Sequence, residues 1–303
     1  MRTFIMAFCL FLFTTFTLPA QDITTNVVEF AWLPDGSGLL TTIIRFDRAK
    51  RQFLGSGIFK WDAKTGGVSL LIKNAVGASF SPDGTKLAFT KRTGDPRSAD
   101  IYLYDFASQV ETPLLTDTLR EDHASWSPSG DKIVFTLSHS NFRSELKMYV
   151  YNFITKEKRQ ISPLNGHLHF NPKWSPHGNA IVYYLEKGDQ HDQIYLTDEN
   201  GSFHTNLTDN SETHNYYPSW LGGDIVYTQH PDQIIIMNLK TKQKKVVEGL
   251  KAYLASYDAK AERIAYLTPG SMENPSKLMI FDVKTKVSTA TITREQLNAL
   301  KLE

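Results

Sequence analysis

Ser79-Phe80-Ser81-Pro82-Asp83-Gly84-Thr85-Lys86-Leu87-Ala88-Phe89-Thr90 is the stretch on which the fold turns. Pro pre-sets φ for the first central position of a turn, Asp tolerates the next, and Gly supplies the left-handed conformation that reverses the chain. Lys86 to Thr90 is a short apolar and aromatic run beside that turn, so the whole reads as a hairpin. The stretch recurs. Ser125-Trp126-Ser127-Pro128-Ser129-Gly130 and Lys173-Trp174-Ser175-Pro176-His177-Gly178 are close copies, and Ala31-Trp32-Leu33-Pro34-Asp35-Gly36 is a weaker one. Ser219-Trp220-Leu221-Gly222-Gly223-Asp224 and Ser256-Tyr257-Asp258-Ala259-Lys260 are degenerate copies. The aromatic anchors Trp32, Phe80, Trp126, Trp174, Trp220 and Tyr257 are spaced 48, 46, 48, 46 and 37 residues apart.

A second motif keeps step with the first: an apolar strand, then Asp or Asn, then Thr, Ser or Gly three residues on. Ile58-Phe59-Lys60-Trp61-Asp62 with Thr65 and Ile101-Tyr102-Leu103-Tyr104-Asp105 with Ser108 are examples, and Leu278-Met279-Ile280-Phe281-Asp282 with Thr285 is the last copy. An Asx side chain that bonds the backbone two residues later favours a tight turn there, and a fourth strand follows it. Four strands in each of six repeats predict an all-β fold, a six-bladed β-propeller of four-stranded antiparallel blades, since radial repetition protects sheet edges. The propeller is expected over residues 21–293, with a polar tail at 294–303.

These residues resemble the TolB-like (WD40-like, PD40) six-bladed propellers, most closely at Phe80–Thr90, Trp126–Thr136 and Trp174–Tyr184. That family includes the periplasmic TolB of the Tol–Pal envelope system and the propellers of certain peptidases and lyases. The resemblance implies the propeller fold and an extracytoplasmic setting. TolB carries an extra α/β domain ahead of its propeller, and none is read here.

Residues 1–20 read as a cleaved secretory signal peptide: Arg2, an apolar centre from Phe4 to Phe13, and Ala20 at the expected cleavage point. The alternative is an uncleaved membrane anchor; no later segment is apolar for long enough to span a bilayer. A periplasmic or secreted location follows. Removal of residues 1–20 takes away Arg2 and Cys9, leaving equal numbers of basic and acidic residues and no cysteine. The 33 basic and 32 acidic residues of the 303-residue chain argue against a broad nucleic-acid surface, and its single cysteine excludes an internal disulfide and a CxxC metal or redox motif. GxSxG, HExxH, a P-loop and GxGxxG in strand–helix context are all missing.

The recurring anchors are assigned to packing between blades. Candidate function lies in the segments just before each first strand, which rim the mouth of the central channel. They read Glu121-Asp122-His123, then His169 and Asn171, then His214-Asn215-Tyr216-Tyr217, and they centre the site on blades three to five. Loops between second and third strands open on the same face and carry Arg92, Arg97 and Arg143, a positive sector suited to an anionic partner. The leading expectation is a non-catalytic binding or scaffolding module, without cofactor, that engages an envelope or secreted protein or a small ligand. Through the resemblance, the alternative is a metal-assisted lyase or hydrolase of acidic oligosaccharides. His123, His169 and His214 would then hold one divalent metal ion, Glu121 or Asp122 would act as base, and Arg92, Arg97 or Arg143 would clamp the substrate. The three histidines stand three, five and six residues before their anchors.

Overall fold

A computed structural model describes residues 23–92, 99–116, 119–138, 145–163, 166–186, 188, 190–209, 212–258, 260, 262–270 and 276–300. The expected signal peptide, Arg97 and Arg143 lie outside the described residues. Blade one is β1 (Ile23–Trp32), β2 (Gly38–Asp47), β3 (Gln52–Asp62) and β4 (Val68–Lys73). Blade two is β5 (Ala75–Phe80), β6 (Lys86–Lys91), β7 (Asp100–Asp105) and β8 (Val110–Leu115). Blade three is β9 (Arg120–Trp126), β10 (Lys132–Ser138), β11 (Lys147–Asn152) and β12 (Lys158–Gln160). Blade four is β13 (Leu168–Trp174), β14 (Ala180–Glu186), β15 (Gln193–Asp198) and β16 (Thr205–Asn206). Blade five is β17 (Asn215–Leu221), β18 (Asp224–Gln229), β19 (Gln233–Met237) and β20 (Lys244–Lys251). Blade six is β21 (Leu254–Tyr257), β22 (Arg263–Leu267), β23 (Leu278–Asp282) and β24 (Ser288–Ala290), and the helix α1 (Arg294–Ala299) follows it.

Each blade is one antiparallel sheet of four consecutive strands, so the expected six-bladed propeller is the observed architecture. Register is common to all blades: each aromatic anchor, at or next to the end of its first strand, faces a buried apolar residue near the start of the second. The pairs are Trp32–Leu39, Phe80–Leu87, Trp126–Ile133, Trp174–Ile181, Trp220–Ile225 and Tyr257–Ile264. The second strands are buried on both faces by neighbouring blades, which is why Ile133-Val134-Phe135 and Ile225-Val226-Tyr227 run apolar without alternation. The second motif closes its turns as expected. Asp62 Oδ1 accepts from Thr65 N at 2.8 Å and from Thr65 Oγ1 at 3.0 Å, and Asp105, Asn152, Asn238 and Asp282 repeat the pattern.

The apolar core is not central. It is divided among six clusters, each lying between two adjacent blades. Three anchors also tie one blade to the one before: Trp126 Nε1 donates to Ser79 O at 3.1 Å, Trp220 Nε1 to Lys173 O at 2.9 Å, and Trp32 Nε1 to Ser256 O at 3.0 Å. The last bond joins blades one and six. Among the described residues no strand is exchanged there, because both blades are built from consecutive strands. The ring is closed by packing of Val27, Leu39, Ile43 and Phe59 against Leu267, Leu278 and Ile280, with Leu297 of α1 covering the seam. Thr293 caps α1 through a capping box, Gln296 Nε2 donates to Gly66 O at 2.9 Å, and the Arg263 guanidinium sits 4.6 Å from the Trp32 ring centre.

Candidate functional site

The first strands of blades two to five carry a bulge whose leading residue lines the central channel. In blades two to five, two residues of the first strand oppose one of the second, between Val76 and Ser79, Asp122 and Ser125, Phe170 and Lys173, and Tyr216 and Ser219. The leading bulge residue is left-handed in all four: Gly77 (φ 67°), His123 (φ 55°), Asn171 (φ 50°) and Tyr217 (φ 54°). Gly adopts this conformation without cost; for His, Asn and Tyr it costs roughly 1–2 kcal/mol each, a strain of the kind that gathers at ligand-contacting positions. All four stand three residues before their anchor. The equivalents in blades one and six are Glu29 and Leu254, and all six line a central cavity of about 570 Å³.

Around this ring the charges are asymmetric. The Glu29 carboxylate leans over Gly77, whose missing Cβ would lie 3.7 Å from Glu29 Oε2. It accepts from Thr42 Oγ1 at 3.4 Å and approaches His123 Nε2 at 3.9 Å. The Thr136 hydroxyl spends its hydrogen on Asp122 O, so the His123 Nδ1 that contacts it at 3.3 Å is the donor and Nε2 is left towards Glu29. On the opposite blade, Lys173 lines the same cavity. Burial lowers its pKa, and Glu29 partly offsets that effect.

From the channel an aromatic wall climbs through blades four and five to the rim. Phe170 stacks on Tyr184 at 5.1 Å, Tyr184 meets Tyr217 at 5.6 Å, and Tyr217 meets Tyr216 at 5.2 Å and Tyr253 at 5.0 Å. The Tyr217 and Tyr253 hydroxyls bond each other. Burial raises the Tyr184 and Tyr217 phenols well above their ordinary value, so both stay neutral. The wall continues into three histidine rings, with His214 at 4.7 Å from His191 and 6.0 Å from His230. His214 Nδ1 lies 3.2 Å from Asp192 Oδ2, and burial raises the Asp192 pKa against that contact.

The residues singled out from the sequence separate into three environments. His123, Asn171 and Tyr217 face the channel, while His214 and Tyr216 stand at the rim. Glu121, Asp122, His169 and Asn215 are buried. Asp122 accepts from Thr90 Oγ1, Arg120 and its neighbour's backbone His123 N, all at 3.0 Å. Burial works to raise its carboxyl, and His123 and Arg120 outweigh it, so the group stays below its ordinary value. Asn215 is bonded to Thr213 O and Gln229 Nε2, and the Arg92 guanidinium rests 4.6 Å from the Phe53 ring centre.

The metal trio expected from the histidines needs correction. His169 is fully buried between blades, its Nδ1 donating to Leu146 O at 3.1 Å, whereas His123 is in the channel and His214 on the rim. Their drift in repeat phase is the cause: three, five and six residues before the anchor are different levels of the first strand, and the bulge at the third interrupts its alternation. Among the described residues no three His, Cys, Asp or Glu side chains are grouped to hold a metal ion.

Glu29 and Lys173 were not singled out from the sequence, yet a signal for both was present. The residues one before each anchor are Ala31, Ser79, Ser125, Lys173, Ser219 and Ser256, with Lys173 alone neither Ala nor Ser. Glu29 is likewise the only acid at the position three before.

Fold and channel together define a six-bladed β-propeller. TolB from Acinetobacter baumannii is similar over 88% of this chain and 78% of its own, at 15% identity and a TM-score of 0.62. An oligogalacturonate lyase in complex with manganese is similar over 89% of this chain and 78% of its own, at 16% identity and a TM-score of 0.63. The β-propeller domain of the Trilobed protease from Pyrococcus furiosus, described as having an open velcro topology, matches 91% of this chain and 98% of its own, at 13% identity and a TM-score of 0.59. These likenesses establish the fold. No family model and no curated protein sequence matches the chain. Among the described residues no helix is long and apolar enough to cross a membrane.

Proposed function

We propose that this protein is a periplasmic or secreted binding propeller without catalytic activity of its own, engaging a protein segment or small ligand at the channel mouth of blades three to five. The observation that carries the reading is the run of left-handed bulges that holds His123, Asn171 and Tyr217 at one level of the channel despite their backbone cost. Beside them, Tyr184, Tyr216 and Tyr253 supply rigid area with a polar tip, the combination that dominates binding energy at interfaces. A metal-assisted lyase of acidic oligosaccharides would need converging ligands, and His123, His169 and His214 do not supply them.

Immobilised wild-type chain and a Tyr216→Ala/Tyr217→Ala variant, exposed to envelope and culture-fluid fractions of the source cells, test this reading. Material retained by the wild type and lost by a variant of unchanged melting temperature supports it. Equal retention by both proteins removes it, and an unfolded variant means that these rings are core rather than site.

A further inference from the structure

The cavity holds two opposite charges that do not pair with each other. Glu29 on blade one and Lys173 on blade four belong to blades that face across a six-membered ring, and both line the same space of about 570 Å³. No ion pair within 4 Å joins them, and the Lys173 ammonium makes no hydrogen bond or ion pair with any described residue. The Glu29 carboxylate has one hydroxyl donor in Thr42, which leaves most of its accepting capacity unused. An ammonium without a partner in a narrow cavity is costly unless something completes it, and Glu29 has only the Thr42 hydroxyl and the His123 ring beside it. Phe30, Phe80, Phe170, Leu254 and Tyr257 add apolar surface to the lining, and the volume lies in the range of small-ligand sites.

We propose that the channel takes a small zwitterion with an apolar body, an α-amino acid or a dipeptide, its ammonium on Glu29 and its carboxylate on Lys173. This rests on the reading of the channel mouth as a binding site and names the ligand class. His123 Nε2, 3.9 Å from Glu29, shares the ammonium end, and Asn171 and Tyr184 line the same cavity. Burial that disfavours the charged Lys173 amine in the empty channel works in the same direction, since an incoming carboxylate restores what water no longer supplies. A dianion meets Glu29 and a dication meets Lys173, so net charge is selected by repulsion as well as attraction.

Isothermal titration calorimetry of the wild-type chain with L-phenylalanine and L-leucyl-L-phenylalanine tests the proposal, alongside N-acetyl-L-phenylalanine and L-phenylalanine amide. At least one zwitterion is expected to bind with Kd below about 1 mM, and each capped analogue at least about tenfold more weakly. Glu29→Gln should erase the discrimination against the N-acetyl form, and Lys173→Met that against the amide. Silence from both zwitterions, or capped analogues that bind as well as the free ones, overturns the proposal. The wild-type ligand series decides the matter even if a variant fails to fold. Retention of partner at the tyrosine wall with silent zwitterions would sink this inference alone and leave the binding reading standing.

Discussion

His169 makes the stability of the ring depend on pH in a defined window. Its ring is fully buried, Nδ1 donates to Leu146 O, and no described group reaches Nε2. Burial, the largest influence, pushes its pKa from 6.5 down to about 3, and Lys147 and His204 act in the same direction. Because the folded value is the lower one, the unfolded chain takes up the proton first. The stability is therefore complete above pH 6.5 and is lost as the pH falls towards 3. The linkage relation puts the loss at about 2 kcal/mol by pH 5 and about 3 kcal/mol by pH 4. His169→Phe is a suitable control: a ring remains beside Tyr183, 5.6 Å away in the wild type, and Leu146 O keeps its bond from the backbone N of residue 169 at 3.0 Å. Urea unfolding followed by tryptophan fluorescence, at about pH 7.5 and about pH 5, compares the two proteins. The variant should lose about 2 kcal/mol less than the wild type over that interval. Equal losses would falsify the assignment of a buried, neutral His169.

Other expectations concern the seam, the bulges and the turns. Leu297→Ala should cost about 2 kcal/mol in urea unfolding, because this side chain of α1 is buried against the interface that joins blades one and six; an unchanged midpoint would mean the helix is not part of the closure. Gly77→Ala should cost only about 1 kcal/mol, the price of φ +67°, since its new Cβ meets nothing nearer than 3.7 Å. Gly201→Ala should be far more damaging, because there the Cβ would stand 2.1 Å from the backbone oxygen of Ile161, and comparable unfolding midpoints for the two variants would contradict this. Hydrogen bonds from Thr65 and Thr285 hold the Asp62 and Asp282 carboxyls below their ordinary value. Their contribution is present above the unfolded carboxylate range and lost as pH falls through the lower folded values. Asp282→Asn should thus match the wild type near neutrality and decline less in acid, as Asn152 and Asn238 already close the same turn in two blades.

The blade count, the strand order and the turns were legible in the sequence because each depends on residues within about a dozen positions of one another. Pro and Gly impose backbone angles locally, an Asx carboxyl reaches only its own turn, and an apolar run between two turns is buried wherever it lands. The packing role of the anchors was readable for the same reason, since a large ring recurring at one phase must meet the same neighbour in every blade. The tertiary structure decided which side chains share the channel. His123, His169 and His214 look like a set when counted along the chain, but strand alternation and the left-handed bulges send them to the channel, the inter-blade core and the rim. Glu29 and Lys173 come to line one cavity only when the ring closes, through the seam that Trp32, Arg263 and Leu297 hold together. A repeat specifies its own blade from within, whereas a channel is assembled from one position of every blade at once, and no single stretch of sequence contains it.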